Sequence, residues 1–576
     1  MKKKSIIENI KLIFGKDQYI SLILILVFLS FSTILESLSI TLIFPIISSF
    51  IKGTTSEEVY FFNFLYENLN FLQVQNKTIF FLLFFFFIYF SKIFFLLYFF
   101  WYKNKFAWDI HNDISSRIYK KYLGQNLDFF KKINSGKIIK DFTTEIPMFI
   151  GNGLIPAINI VANSFILLGF FIIFLLLNFK ITLFLTAVIL ILTFLFLFPS
   201  KLLLKKLGLV RQINEGLRIS YLNQGINSIK EAKIYKKENW FLQKFIKHTQ
   251  ITSNSLKSYD FIKILPRFFF EIVILIFVFL IMIIFSEKQS LNDLLPFFGV
   301  MLVTFYRALP ILSQLITSLQ SINYSKSTYE LILNSLSLKS INEISDKKYM
   351  PLKFKRNIEI KNLKVFYKNP NKTVLNNISL KILKGDCVGI IGKSGVGKST
   401  FLDTLMGLVK PNAGNILVDG KSIYKNLRSW QKLIGYVPQS IYLIDDSIAK
   451  NIAFGENEQD INIRNLINCA KEAEIFDLIN NLPKKEQTLV GEKGSKLSGG
   501  EKQRIAIARS LYISPEIIIF DEATSALDAQ TEKKVLDSIK KLSKNKTVII
   551  ASHRTSFLNI CNKVYEIKNK KISLIK

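Results

Sequence analysis

The chain has 576 residues, half of them hydrophobic, and a formal net charge of +33 at pH 7. This length exceeds what a single compact core supports, so more than one domain is expected. The apolar residues crowd before about residue 325, and most of the excess Lys and Arg lies between the apolar stretches. Such a distribution predicts a membrane protein and argues against nucleic-acid binding.

Six apolar stretches are long enough to cross a bilayer, which takes about 20 mostly apolar residues per helix. They are predicted near 19–48, 78–102, 147–177, 181–204, 264–286 and 294–322. Lys and Arg are frequent in the N-terminal tail and in the 103–145 and 201–263 segments, and scarce in the intervening loops. This alternation predicts that both termini lie in the cytoplasm.

The two long basic segments predict membrane helices that continue into the cytoplasm. We expect each to reverse there, around 124–140 and 220–238, and to present a short transverse helix. In the first outer loop, apolar residues from Val59 to Leu72 recur at helical spacing. They predict a short amphipathic helix, which lies either on the outer membrane surface or against the outer ends of the spans.

The apolar runs stop after Ser325, and short strand-like runs then alternate with helical ones. This change predicts a transmembrane domain at 1–330, a linker at 331–355 and a soluble domain at 356–576. The strand-like runs CVGIIG, EIIIFD and TVIIAS predict an α/β domain with a largely parallel sheet. The three cysteines show no metal-binding or disulfide spacing, and a reducing cytosol suits this half.

Immediately after CVGII, the sequence fits the pattern GxxxxGK[ST] and reads Gly392, Lys393, Ser394, Gly395, Val396, Gly397, Lys398, Ser399 and Thr400. Glycines let backbone N–H groups turn inward around phosphates, and the following helix adds the positive end of its dipole. In this pattern Lys398 reaches the β- and γ-phosphates of ATP, and Ser399 ligates Mg²⁺. The segment therefore predicts ATP and Mg²⁺ as cofactors.

A second strand-like run ends in the carboxylates of Asp521 and Glu522. Asp521 is predicted to hold Mg²⁺ through water, and Glu522 to polarise the attacking water. An exposed acidic turn after a buried strand is the alternative, and the phosphate loop upstream favours the catalytic interpretation.

Between these motifs, Leu497 is followed by Ser498, Gly499, Gly500 and Glu501, just ahead of a helical run. A Ser and two Gly at a helix start form a second phosphate cradle. This LSGGE element resembles the signature of the ATP-binding-cassette (ABC) family. In that family the cradle closes on ATP held by a partner subunit, so the resemblance implies a homodimer.

Further positions match the family. Tyr367 resembles the aromatic residue that stacks on adenine, Gln439 the residue that contacts Mg²⁺, and His553 the histidine that senses the γ-phosphate. Asp528 resembles the acidic residue at the dimer seam. The resemblance covers essentially the whole chain. It implies an ABC exporter half-transporter of the type IV fold, in which an all-α six-helix transmembrane domain precedes an α/β P-loop nucleotide-binding domain with ATPase activity.

Three cations, Lys92, Arg267 and Arg307, stand in or at the edge of the predicted spans, with Glu36 and Glu271 as acidic counterparts. Charges inside spans are costly, about 2.5–3.5 kcal/mol each on insertion scales. A cavity lined by these cations suits an anionic head group such as a pyrophosphate. Alternatively, Arg267 pairs with Glu271 one helical turn later and stabilises a helix near the inner interface.

The stretches ESLSITLIFPI, SKIFF, LPRFFFE and FYRALP, with the predicted outer helix, resemble the PglK-type flippase of bacterial N-glycosylation. The resemblance implies that a polyprenyl-pyrophosphate-linked oligosaccharide crosses the bacterial inner membrane, with the three cations lining the path. Lys92, where that family has Arg, keeps the charge but loses the bidentate fork. Two alternatives stay open: an exporter of another lipid or amphipathic drug, and a membrane-anchored ATPase that regulates a partner.

Overall fold

The computed structural model describes residues 6–15, 17–41, 77–177, 179–286, 291–338, 352–368, 371–522, 529–552 and 559–576. They form two compact units. One is helical and comes from Met1–Gln125 and Phe129–Ile344, and the other is an α/β unit made chiefly of Ser345–Lys576.

Long helices build the first unit. In chain order they are α1 Ile6–Ile13, α2 Gln18–Thr41, α3 Lys77–Leu123, α4 Leu127–Lys132, α5 Ser135–Lys140, α6 Ile146–Phe149, α7 Ile155–Leu177, α8 Phe179–Asn227, α9 Ile229–Ile234, α10 Glu238–Ser286, α11 Leu291–Tyr324 and α12 Lys326–Leu336. Two π-helical turns, Asp141–Glu145 and Ile150–Leu154, separate α5 from α6 and α6 from α7. The end of α12 falls within the segment predicted as linker, and the predicted domain limits remain a prediction.

Within the described residues, four helical segments are long and apolar enough to cross a membrane, namely Gln18–Glu36, Leu82–Leu123, Ser135–Ile172 and Thr186–Asn227. Helices α10 and α11 cover the spans predicted at 264–286 and 294–322. Large apolar side chains such as Phe86 and Phe87 of α3 are exposed, as lipid-facing residues are. The amphipathic helix predicted between Val59 and Leu72, and the end of the first predicted span, lie outside the described residues.

Short helices occur at both predicted reversals, and their location in the cytoplasm remains a prediction. Short helices α4 and α5 occupy the first, and α9 occupies the second. Asn134 begins α5 because its side-chain oxygen accepts a hydrogen bond from the Gly136 N–H at 2.8 Å. Both reversals are therefore compact helical turns.

Glu145 contacts residues of three separate helices, α5, α8 and α12, near these reversals. It is 0% exposed, and its Oε2 accepts hydrogen bonds from Arg211 Nη2 at 2.9 Å and from Thr328 Oγ1 at 2.7 Å. Lys140 Nζ lies 3.6 Å from Oε1. Such a buried carboxylate is tolerated only because these cations and donors surround it.

We therefore expect Glu145→Ala to lower the free energy of unfolding by about 3–5 kcal/mol, because the substitution strands the buried Arg211 guanidinium. Thermal denaturation of the purified protein in detergent measures this loss. The double variant Glu145→Ala, Arg211→Met removes both charges and should recover part of it. Equal melting temperatures for Glu145→Ala and the wild type would contradict this role.

The second unit contains two sheets. Its strands are β1 Asn357–Lys368, β2 Asn371–Leu383, β3 Cys387–Ile391, β4 Ala413–Val418, β5 Lys421–Ser422, β6 Ile434–Val437, β7 Ile517–Asp521, β8 Thr547–Ala551, β9 Lys563–Lys568 and β10 Lys571–Leu574. One sheet is antiparallel with the order β2-β1-β4-β5. The other has the order β10-β9-β3-β8-β7-β6 and is parallel from β9 to β6. The predicted largely parallel sheet is thus confirmed.

Helices cover both faces of the parallel sheet. The helices of this unit are α13 Lys398–Leu405, α14 Leu427–Lys432, α15 Ile448–Ile452, α16 Ile463–Glu472, α17 Phe476–Asn481, α18 Gly499–Tyr512 and α19 Ala529–Leu542. Along β7, Ile517 and Ile519 pack in one core with Phe401 of α13, whereas Ile518 and Phe520 pack in the other core with residues of α18. This alternation follows from the two-residue period of a strand, and it places α13 and α18 on opposite faces of the sheet.

Candidate functional site

The phosphate loop, the Asp521–Glu522 pair and Gln439 lie at one edge of the parallel sheet. Strands β3, β8, β7 and β6 are consecutive neighbours in that sheet. The phosphate loop follows β3, Glu522 follows β7 and Gln439 lies just beyond β6. Ligands of open α/β sheets bind at the carboxyl ends of the strands, so the topology itself gathers these residues.

The loop from Gly392 to Gly397 requires glycine at particular places. Gly395 and Gly397 have φ values of 75° and 115°, in the region that side chains rarely adopt. A Cβ at Gly397 would lie 2.8 Å from Val374 Cγ1. The loop therefore keeps its backbone close to the N-terminus of α13, where the helix dipole favours phosphate.

Lys398, the first residue of α13, contacts both the phosphate loop and Glu522, the residue that follows β7. Its side chain is 5% exposed, and Nζ donates to the Gly392 carbonyl oxygen at 2.9 Å. The same Nζ lies 3.2 Å from Glu522 Oε1. The predicted phosphate-binding lysine and the predicted base are thus in direct contact.

Asp521 is a buried carboxylate, and one of its two oxygens lacks a hydrogen-bond partner among the described residues. It is 6% exposed, and that oxygen is Oδ1. Burial is the largest cause that raises its pKa, followed by the nearby carboxylates of Glu522 and Asp403, whereas a hydrogen bond from Ser399 opposes the shift. A hard cation with oxygen ligands fits this position. Ser399 and Asp521 are therefore the residues that would hold Mg²⁺.

Glu522 is held by both its backbone and its side chain. Its φ of 48° is in the left-handed region, a strained conformation that occurs preferentially at functional sites. The backbone N–H donates to the Ala551 carbonyl oxygen at 2.9 Å, and Gln439 Nε2 donates to Oε2 at 2.8 Å. These contacts fix the carboxylate beside the phosphate loop.

The LSGGE element begins α18. Ser498 is the N-cap residue, and its Oγ accepts from the Glu501 N–H at 3.3 Å, while Glu501 Oε2 accepts from the Ser498 N–H at 2.8 Å. This reciprocal pair is a capping box, which Gln or Glu closes equally well. Because α18 lies on the opposite face of the sheet from α13, the signature and the phosphate loop start helices on different sides.

Other predicted residues are only partly described. His553 and Asp528 lie outside the described residues. Tyr367 is in β1 and Arg307 is in α11, but their side chains are also outside the described part. Their predicted roles remain predictions.

One residue of this site was missed from the sequence. Tyr436 in β6 is hydrogen-bonded to Asp521, and burial, then Asp521 and Asp403, raises the pKa of its phenol. Tyr436 pairs with Ile519 of β7. Its position three residues before Gln439, a predicted site residue, was the available signal.

In the helical unit, two predicted substrate cations line a cavity of about 1010 Å³. Lys92 forms a buried ion pair with Glu36. Arg267 Nε lies 3.0 Å from Glu271 Oε1, and the Arg267 side chain is 66% exposed. Arg267 therefore pairs with Glu271, as the alternative interpretation predicts. Both Arg267 and Lys92 line the same cavity.

Two family models match the chain. The model for the ABC transporter transmembrane region matches residues 22–318, and the ABC transporter model matches residues 375–525. This chain belongs to the ABC transporter family. The expected membrane-spanning helical region and ABC ATPase domain are thereby confirmed.

Several relatives are similar to this ABC transporter. Over 232 residues it is 40% identical to mouse ATP-binding cassette sub-family B member 5, covering 40% of this chain and 18% of the relative. Over 217 residues it is 41% identical to the Escherichia coli O157:H7 alpha-hemolysin translocation ATP-binding protein HlyB, covering 38% of this chain and 30% of the relative. The matched regions thus span less than a third of these relatives' lengths.

A solved structure resembles nearly all of the chain. It is a bacterial Atm1-family ABC exporter with ATP bound, which superposes with a TM-score of 0.78 over 97% of this chain and 94% of that one. The sequences are 22% identical. The likeness shows that this ABC transporter has the exporter fold, and it leaves the substrate open.

Proposed function

We propose that this ABC transporter is an ATP-driven flippase that moves a polyprenyl-pyrophosphate-linked oligosaccharide across the bacterial inner membrane. It would act as a homodimer, with both termini and the ATPase domain in the cytoplasm. The observation that carries the proposal is the membrane-unit cavity, because it places cations beside aromatic and aliphatic walls such as Phe99 and Leu29. A long lipid with an anionic head group has matching chemistry.

ATP hydrolysis supplies the driving force in this proposal. The N–H groups of the phosphate loop and the start of α13 hold the phosphates, and Lys398 exchanges its contact with Glu522 for the γ-phosphate. Glu522 then orients a water and accepts its proton as the water attacks phosphorus and the bond to ADP breaks. Mg²⁺, when bound by Ser399 and Asp521, neutralises charge on the phosphate oxygens.

The positions of the two phosphate cradles support a homodimer. The loop before α13 and the signature before α18 begin helices on opposite faces of one sheet. A second copy turned against the first could bring its Ser498 cradle to this copy's Lys398. Membrane lipids surround the exposed apolar faces of the spans.

A second candidate is the export of another lipid or amphipathic drug. Lys92 and Arg267 are each paired with a carboxylate, and such neutralised pairs also suit a zwitterionic or weakly charged amphiphile. The two candidates differ in the charge that the head group must carry.

ATPase stimulation in lipid nanodiscs separates the candidates. The purified protein is supplied in turn with a polyprenyl-pyrophosphate glycan, the polyprenyl-monophosphate glycan and a neutral polyprenyl glycoside. We expect the pyrophosphate lipid to stimulate hydrolysis at the lowest concentration, because it offers the most charge-assisted contacts. Equal stimulation by the neutral glycoside would favour the second candidate.

A further inference from the structure

A third cation, Lys103, lies on the wall of the same cavity. It was assigned to the cytoplasmic extension of the second span, yet it is 4% exposed and lines the cavity with Lys92. The two lysines are eleven residues apart on α3. That spacing is close to three helical turns, so both lie on one face of the helix, about 16 Å apart along its axis.

Lys103 differs from the other described cations of this cavity in its partners. Its Nζ donates to Asn159 Oδ1 at 2.9 Å and lies 4.7 Å from the centroid of the Phe100 ring. Among the described residues, no carboxylate forms an ion pair with it, whereas Lys92 pairs with Glu36 and Arg267 pairs with Glu271. The described lining thus holds three cations and two carboxylates, and Lys103 carries the excess charge.

A buried ammonium without a carboxylate is costly unless an anion joins it. An ammonium has three N–H donors, and one amide oxygen and one ring face leave it able to donate to a further acceptor. The lining also carries neutral amides, with Asn163 Nδ2 donating to Gln314 Oε1 at 3.3 Å. Neutral amides orient an anion without competing for its charge.

We propose, resting on the export function above, that Lys103, held in place by Asn159, is the anion-binding position of this cavity and takes a phosphate group of the substrate. Lys92 and Arg267 then serve chiefly in ion pairs that join or stiffen helices. This places the phosphate toward the end of the second span that is predicted to face the cytoplasm.

The test compares binding of a fluorescent polyprenyl-pyrophosphate lipid to wild type, Lys103→Gln, Asn159→Asp and Lys105→Gln in nanodiscs. Lys103→Gln removes the charge. Asn159→Asp keeps Lys103 but supplies a carboxylate that neutralises it, in a variant whose fold the new ion pair supports. Lys105 is exposed on the same helix and is absent from the cavity lining, so its variant is the matched control.

We expect both Lys103→Gln and Asn159→Asp to weaken binding about tenfold or more, which corresponds to the loss of one charge-assisted hydrogen bond. Lys105→Gln should bind as the wild type does, and Lys103→Arg should retain most of the affinity. Wild-type affinity in Asn159→Asp, or in a Lys103→Gln protein that elutes as the wild-type species, would overturn the assignment.

Two further probes separate this site from the identity of the substrate. Inorganic pyrophosphate should displace the fluorescent lipid from the wild type, because both bind at Lys103. It should not displace the residual lipid bound by Lys103→Gln. Binding of a polyprenyl monophosphate that depends on Lys103, without binding of the pyrophosphate lipid, would uphold the anion position and overturn the proposed glycolipid substrate. Tight binding of the pyrophosphate lipid to Lys103→Gln would overturn the anion position and leave the proposed glycolipid substrate in place.

Discussion

Replacing Glu522 by Gln should reduce ATP hydrolysis at least a hundredfold and leave ATP binding at least as tight as in the wild type. The carboxylate is expected to accept the proton of the attacking water, and loss of a general base costs about 10²–10⁴ in rate. Binding survives because the phosphates are held by the loop and by Lys398. Glu522 also pairs with Lys398, so the neutral amide removes a competitor of the phosphates for that ammonium.

Steady-state phosphate release measures the rate, and equilibrium binding of a fluorescent ATP analogue measures the affinity. Glu516→Gln, which neutralises a partly exposed carboxylate just before β7, is the matched control and should hydrolyse ATP normally. Hydrolysis by Glu522→Gln at the wild-type rate would remove Glu522 from the catalytic role.

Replacing Lys398 by Ala should have the opposite signature, with a loss of ATP affinity as well as of hydrolysis. Each charge-assisted hydrogen bond to phosphate is worth about 1.5–3 kcal/mol, so we expect binding to weaken roughly 10- to 150-fold. The variant also removes the cation that lies 3.2 Å from Glu522 Oε1. Titration with the same fluorescent analogue gives the affinity directly.

Lys410→Ala removes an exposed lysine from the same unit and controls for the general effect of net charge on nucleotide binding. If Lys398→Ala bound ATP as tightly as this control while losing hydrolysis, Lys398 would act only on the reaction. The phosphate-binding role assigned to it would then be wrong.

Much of the ATPase domain was predictable because its functional residues are local sequence motifs placed at strand ends. The apolar run that forms β3 leads into the glycines, and the run that forms β7 leads into Asp521 and Glu522. Once the sheet is known to be parallel, its carboxyl edge gathers both. The contact between Lys398 and Glu522 follows from that order, although the strained backbone of Glu522 does not show in the sequence.

The cavity of the membrane unit was less predictable, because its contacts join residues far apart in the chain. The sequence singled out Lys92, but its pairing with Glu36 of α2 depends on how two helices pack. Lys103 looked like one of many lysines in a basic cytoplasmic segment. Only the packing of α3 against α7 shows that it lies on the cavity wall beside Asn159.

If the proposed function is correct, the purified protein alone should use ATP to move a lipid-linked glycan across a membrane. The most direct measurement reconstitutes the purified protein in sealed vesicles that contain a fluorescently labelled polyprenyl-pyrophosphate glycan, and follows its protection from a membrane-impermeant quencher. We predict transfer that requires ATP and Mg²⁺ and that is lost in Glu522→Gln vesicles. Transfer at the same rate without ATP, or no transfer by a wild-type protein that hydrolyses ATP, would show that the protein is not an ATP-driven flippase of this lipid.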